Sequence, residues 1–243
     1  ETISLGIGQG YNNFTMLQLA TATATLVSGG RRFEPRLVRE IEDVQTHERE
    51  RVASREIAPL PLKPEHVKVI TNAMYGVTQE GTARFVFAGA GYKSGGKTGT
   101  AQAVGVRQNE KYNAAKLEEH KRDHPQSFAF APVEAHTIVV AVIVENAGSG
   151  AAAATPIARR VLDYWVAGQY PSEEDIAAVS QGKGGPPTGT PRPIDSVPLP
   201  GLTLVRAAGW RGLPEGGAAA PAAAPAPSQG LRQATACRCP ASR

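Results

Sequence analysis

The sequence predicts an α/β (α+β) fold in which helices flank a sheet. Three observations predict it. Residues 15–28, 64–80 and 151–167 carry apolar side chains at three- and four-residue steps, the period of a helix with one buried face. Residues 92–104, 127–132 and 137–145 read as extended segments. The last of these, Thr137-Ile138-Val139-Val140-Ala141-Val142-Ile143-Val144-Glu145, is a continuous apolar run, the pattern of a strand covered on both faces. The chain has 243 residues, 41% of them hydrophobic, enough to bury a core. Its net charge is +4, from 26 basic and 22 acidic residues. The basic residues form no single stripe, so nucleic acid is not a predicted partner.

The elements follow in order. The chain opens on Glu1-Thr2-Ile3-Ser4 with neither a starting methionine nor a signal peptide, and it is expected to be a fragment whose amino-terminal part is missing. No apolar run is long enough to span a bilayer. Thr15 is a fitting N-cap for the first helix, where Met16, Leu19, Ala20, Thr23, Ala24 and Val27 form the stripe. Gly29-Gly30 ends it. Residues 36–44 and about 50–57 predict a short polar hairpin. In the second helix Pro64 suits the first position and Glu65 the positive end of the dipole. Val67, Ile70, Met74 and Val77 are its predicted buried stripe, and Gly81 closes it. Between the first two strands, residues 107–124 are highly charged and of mixed sign, a solvated, partly helical excursion. The third helix is predicted to bury Ile157, Val161, Tyr164 and Trp165 and to stop at Gly168.

After Tyr170 the composition shifts. Twelve of the 19 prolines lie in residues 171–243, with many Ala, Gly and Ser. Such a segment buries too little apolar surface to offset its ordering entropy. Residues 1–170 are therefore predicted to be the folded part and 171–243 a disordered tail. Cys237 and Cys239 stand one residue apart, with no histidine at ligand spacing. No metal site and no cofactor are predicted.

The chemistry concentrates in Gly95-Gly96-Lys97-Thr98-Gly99-Thr100-Ala101-Gln102, which three patterns claim. Gly91 to Thr98 has the spacing of a phosphate-binding P-loop, preceded by the apolar Phe85-Val86-Phe87-Ala88. That function needs a helix to begin at Lys97-Thr98, so that its amides face the phosphates. The residues that follow are glycines and β-branched, a poor helical start. Ser94-Gly95-Gly96-Lys97 has the serine–lysine spacing of an acyl enzyme. There too the pair needs a helix to bring lysine beside the hydroxyl, and two glycines oppose it.

The Lys97-Thr98-Gly99 reading fits an extended chain. On a strand Lys97 and Gly99 face one way, Thr98 and Thr100 the other. A peptide added along the strand's edge would meet a cation, two hydroxyls and, at Gly99, room for close approach. On the tripeptide alone, an ordinary glycine-rich edge strand with an exposed lysine is the simpler reading.

The wider sequence adds more. Ser4-Leu5-Gly6-Ile7-Gly8-Gln9-Gly10-Tyr11 and Thr15-Met16-Leu17-Gln18-Leu19-Ala20 come first. Gly81-Thr82-Ala83, Gly96 to Gln102, Phe128-Ala129-Phe130-Ala131-Pro132, residues 140–146 and residues 151–164 follow in order. Together, over about residues 2–169, they resemble the carboxy-terminal half of the transpeptidase domain of class B penicillin-binding proteins, most of all the elongation type, the penicillin-binding protein 2 group. The Ser-x-x-Lys and second Ser-x-Asn motifs of that family are expected to lie before residue 1, since no serine here has both a lysine three residues on and a helical setting. Tyr11-Asn12-Asn13 mimics a variant of the second motif but reads as the approach to the first helix. Gln126-Ser127 stand where the family often has an aromatic residue.

The resemblance implies an antiparallel sheet flanked by helices, an incomplete penicillin-binding protein/serine β-lactamase-like transpeptidase fold. It implies a peptidoglycan D,D-transpeptidase, active in cell elongation and inhibited by β-lactams, as the parent protein. This chain is expected to lack the nucleophilic serine and to be inactive alone. Lys97 and the Thr100 backbone N–H, half of an oxyanion hole, are the implied catalytic groups. Lys97, Thr98, Gly99, Thr100 and Gln102 are the implied substrate contacts. Implied partners are peptidoglycan stem peptides, β-lactams and the membrane proteins of the elongation complex. The implied location is the periplasmic face of the inner membrane, through an anchor outside this chain. A P-loop nucleotide-binding protein and a non-catalytic, penicillin-binding-like scaffold are the alternatives.

Overall fold

The computed structural model describes residues 2–6, 8, 11–105, 112–196 and 234–238. A short helix α1 (Thr2–Gly6) precedes α2 (Met16–Val27). Thr15 caps α2 as its residue type predicts. Its hydroxyl accepts from Gln18 N at 3.2 Å, and its own N–H donates to the Gln18 side chain at 2.8 Å, a capping box. The predicted hairpin is present but shorter, and a second small ribbon flanks it. β1 (Arg32–Phe33) pairs with β4 (Glu56–Ile57), and β2 (Glu40–Glu42) pairs with β3 (Arg49–Arg51). Helices α3 (Pro64–Gln79) and α4 (Arg84–Phe87) lead into β5 (Gly95–Ala101). Two 3-10 turns, Ala114–Lys116 and Glu119–Lys121, lie in the charged excursion before β6 (His124–Ala131) and β7 (Ile138–Ile143). A π-helical turn (Gly150–Ala154) opens α5 (Thr155–Ala167), and Gly168 ends it in the left-handed conformation. Beyond it come β8 (Gln169–Tyr170), α6 (Glu173–Ser180), β9 (Arg192–Pro193) and β10 (Ala234–Arg238).

The main sheet is antiparallel, in the order β10-β7-β6-β5. Period-two alternation sorts its side chains into two cores. Ala129 and Ala131 of β6 and Ile138, Val140 and Val142 of β7 pack with Ala158 and Leu162 of α5. The residues between them face the other way: Phe130 and Val139 meet Val27 of α2, and Ala141 meets Met16 and Ala20. β7 is therefore covered on both faces, as its unbroken apolar run predicts.

Two helix faces depart from prediction. Only the carboxy-terminal half of α3 packs well: Met74 and Val77 join the cores, while Ile70 is 44% exposed. On α5 Thr155, Pro156, Ala158 and Leu162 are fully buried, Ile157 and Val161 of the predicted stripe pack half-buried against the same core, and Trp165 is exposed. The reason is polar. Arg159 and Asp163, which a periodicity reading places outside, are buried as an ion pair (2.7 and 2.9 Å). The buried face of α5 is therefore wider than the predicted apolar stripe and takes in this ion pair.

The expectation that residues from 171 on lack structure is corrected as far as residue 196. Ser172 caps α6. Asp175, buried, takes two N–H bonds from Arg160 of α5 (2.7 and 2.6 Å) and one from the Thr188 backbone (3.1 Å). A composition argument counts apolar surface and misses such a lock. β10 also falls within the predicted tail, and residues 197–233 and 239–243 lie outside the described residues.

Burial disfavours the Asp175 charge, but the Arg160 and Thr188 bonds outweigh it and hold the carboxyl below the usual carboxylate range. A depressed folded pKa contributes stability above the unfolded value, near pH ~3.9, and loses it as pH falls through the folded one. Amide exchange protection in α6 is expected to persist from neutral pH to about pH 4 and to be lost only below. Loss already near about pH 6 would show that Asp175 is not the lock.

Candidate active-site strand

Four anchors position β5. Thr78 of α3, 3% exposed, reaches the Ser94 carbonyl oxygen with its hydroxyl. A side chain at Gly95 would lie 2.4 Å from the Phe130 ring, so only glycine lets the strand pass beneath α3 there. Tyr92 donates from its hydroxyl to Asp163 at 2.8 Å. Burial first, and then the Asp163 carboxylate, push the Tyr92 phenol above its usual range and keep it a donor. Arg159 also donates to the Val86 carbonyl oxygen at 3.0 Å, tying α4 to the same pair. On the α5 face the π-helical turn lies against the strand: a Cβ on Gly150 would sit 2.4 Å from the Gly99 carbonyl oxygen.

Lys97, Thr98, Gly99 and Thr100 all lie on β5, at the end of the sheet. Pairing of Gly95 with Phe130 and of Thr98 with Ser127 fixes the alternation. Lys97 and Gly99 face the α2–α3 side, and Thr98 and Thr100 the α5 side. Lys97 and Thr100 are exposed, while Thr98 and Gly99 are half-buried. The Lys97 ammonium curls back to the carbonyl oxygen of Thr98. The ammonium is thereby held beside the backbone of the residue that carries the first hydroxyl, although the two side chains start on opposite faces. Gln102 is exposed, one residue past the strand. Beneath Thr98, the Thr155 hydroxyl is within hydrogen-bond distance of Ser127 (3.1 Å) and of the Gly150 carbonyl (3.0 Å).

One contact escaped the sequence reading. The Thr82 hydroxyl, in the turn between α3 and α4, lies 2.8 Å from that of Thr98. The Gly81-Thr82-Ala83 match was visible, but its pairing with a residue sixteen positions on was not.

The competing patterns do not fit. β5 runs as strand through Ala101, with no helix beginning at Lys97-Thr98, and Phe85-Val86-Phe87 belongs to helix α4. A P-loop has neither its strand nor its helix here. Ser94 is 1% exposed and precedes a strand, not a helix. Among the described residues no group of three or more His, Cys, Asp or Glu could hold a metal ion. Among them, too, no helix is long and apolar enough to cross a membrane.

Residues 1–163 match the penicillin binding protein transpeptidase domain. The chain is 40% identical over 176 residues to the peptidoglycan D,D-transpeptidase MrdA of Haemophilus influenzae, covering 72% of this chain and 27% of that protein. It is similar to PBP2 of Pseudomonas aeruginosa, with 34% identity and a TM-score of 0.53 over 68% of this chain and 33% of that one. It is also similar to penicillin-binding protein A of Mycobacterium tuberculosis, solved as its imipenem acyl-enzyme complex. There the identity is 27% and the TM-score 0.51, over 66% of this chain and 32% of that one. The chain thus spans about a quarter to a third of the length of these relatives. With the antiparallel sheet, the edge strand and its Lys-Thr-Gly-Thr run already in place, the chain belongs to the penicillin-binding protein transpeptidase domain family.

Proposed function

We propose that this chain supplies one wall of the active site of a peptidoglycan D,D-transpeptidase that acts in cell elongation. One observation carries the reading: β5 is the terminal strand of its sheet, and its rim presents an ammonium, two threonine hydroxyls and a glycine. A stem peptide ending in D-alanyl-D-alanine would lie along that rim as an added strand. Lys97 would attract its terminal carboxylate, and Thr98 and Thr100 would hydrogen-bond to it. Gly99 would let the peptide backbone approach, and Gln102 would contact it beyond the strand's end. The Thr100 N–H would hold the carbonyl oxygen as negative charge develops, a donor whose loss costs roughly a hundred- to a thousand-fold in rate.

The nucleophilic serine lies outside these residues. Its oxygen bonds to the penultimate D-alanine carbonyl carbon. The peptide C–N bond breaks, and terminal D-alanine departs with the proton. An amine of a neighbouring strand then takes the acyl group and frees the serine. Water in place of the amine would give carboxypeptidase activity. A β-lactam would acylate the same serine by opening its own amide. In this role the whole protein would act at the periplasmic face of the inner membrane. Other membrane proteins of the elongation complex would be its partners there.

Labelled penicillin tests the reading. The whole protein is expected to take up label on a serine outside this chain, and the chain alone to take up none. Hydroxylamine-sensitive label at Ser94 would overturn the assignment. An unlabelled, folded whole protein would favour a non-catalytic scaffold.

A further inference from the structure

Thr82 is held more firmly than a loop residue of its exposure requires. Before it, Gly81 packs so closely that a Cβ there would lie 2.7 Å from Val77 Cα. After it, Ala83 is 3% exposed and donates its N–H to the Val77 carbonyl at 3.0 Å. Arg84 N donates to the Gly81 carbonyl at 3.2 Å, closing the turn. Backbone and core together set the Thr82 hydroxyl 2.8 Å from the Thr98 hydroxyl.

A hydroxyl has one proton to give. If Thr98 donated to Thr82, it would have none left for an anion at the strand's rim. If Thr82 donates, Thr98 becomes an acceptor on one side, and its own proton is turned outward and polarised. We propose that Thr82 is a positioning residue of the carboxylate site: its hydroxyl donates to Thr98 and aims the Thr98 proton at the ligand's carboxylate. The proposal rests on the reading that Thr98 meets that carboxylate.

The test uses the whole protein, with benzylpenicillin and its methyl ester as probes, since the ester lacks the anion. Acylation rates are measured for wild type, Thr82→Val, Thr82→Ser and Thr98→Val. Thr82→Val is expected to slow acylation by the acid roughly ten-fold, the scale of one hydrogen bond to a charged group. The ester's rate should change less than about two-fold. Thr82→Ser, which keeps the hydroxyl, should restore the acid's rate. Should the valine variant fail to fold, Thr82→Ala removes the hydroxyl without crowding and is read the same way.

Equal slowing of acid and ester by Thr82→Val would mean a merely structural tie and would overturn the proposal. If Thr98→Val collapses the acid-to-ester ratio and Thr82→Val leaves it unmoved, the Thr82 proposal alone falls. If Thr98→Val leaves the ratio intact, the carboxylate reading falls and takes the proposal with it.

Discussion

Replacing Lys97 by alanine in the whole protein is expected to slow acylation by a penicillin about a hundred-fold, with the melting temperature unchanged. At about 4 Å and an effective dielectric near 20, an ammonium and a carboxylate attract by about 4 kcal/mol. That corresponds to about a thousand-fold, and desolvation of both ions reduces it. The fold should not notice. Lys97 is exposed, and its ammonium bonds the carbonyl of its own neighbour Thr98, not a group in the core. Acylation kinetics beside a thermal melt separate the two effects. Lys97→Arg should recover part of the rate, because charge is kept while its geometry changes. An unchanged rate in the alanine variant would remove Lys97 from the mechanism.

The largest stability effect is expected at Arg159. Arg159→Ala should cost about 3–5 kcal/mol, the scale for breaking one half of a buried ion pair. The loss is compound. Asp163, 9% exposed, would keep the Tyr92 hydroxyl as a donor but lose the cation. The Val86 carbonyl would lose a 3.0 Å bond, and Phe87 and Tyr92 the guanidinium beside their rings. In a domain of this size the melting temperature should fall by roughly 6–20 °C. Arg159→Leu combined with Asp163→Leu should be less damaging than Arg159→Ala alone, since no uncompensated charge stays buried. Calorimetry of the three chains decides it. A double variant worse than the single one would mean that the pair stabilises by itself, not merely by mutual neutralisation.

These two residues also mark what a sequence can disclose. The strand that carries Lys97 was legible because glycines and β-branched residues lie within a few consecutive residues and their alternation is local. β7 and α3 were legible for the same reason: an unbroken apolar run, and a proline with an acid at a helix start. Arg159 was not, because its partners are Asp163, Tyr92 and Val86, two of them far away in the chain. α6 was hidden by proline-rich surroundings, although Ser172 three residues before Asp175 is a capping signal. What holds α6 down is Arg160, and no periodicity announces that contact. β6 begins at His124, three residues before the expected start, because polar residues on an antiparallel pair look like loop. Thr82 belongs with these, since a hydroxyl pair across a turn leaves no pattern in the chain.

The open rim of β5 has a further consequence, for solubility. A strand with an unpaired edge is a template for another copy of itself, and proteins guard such edges with charge. Two copies meeting antiparallel at this rim would bring Lys97 of each toward the other, with no carboxylate between them to neutralise the pair. The cation proposed to attract a peptide's carboxylate would therefore also repel a second copy of the same strand. Removing it would leave glycine and threonine backbone free to pair with another copy, so in the proposed site the same lysine would guard the edge against aggregation as well as guide substrate.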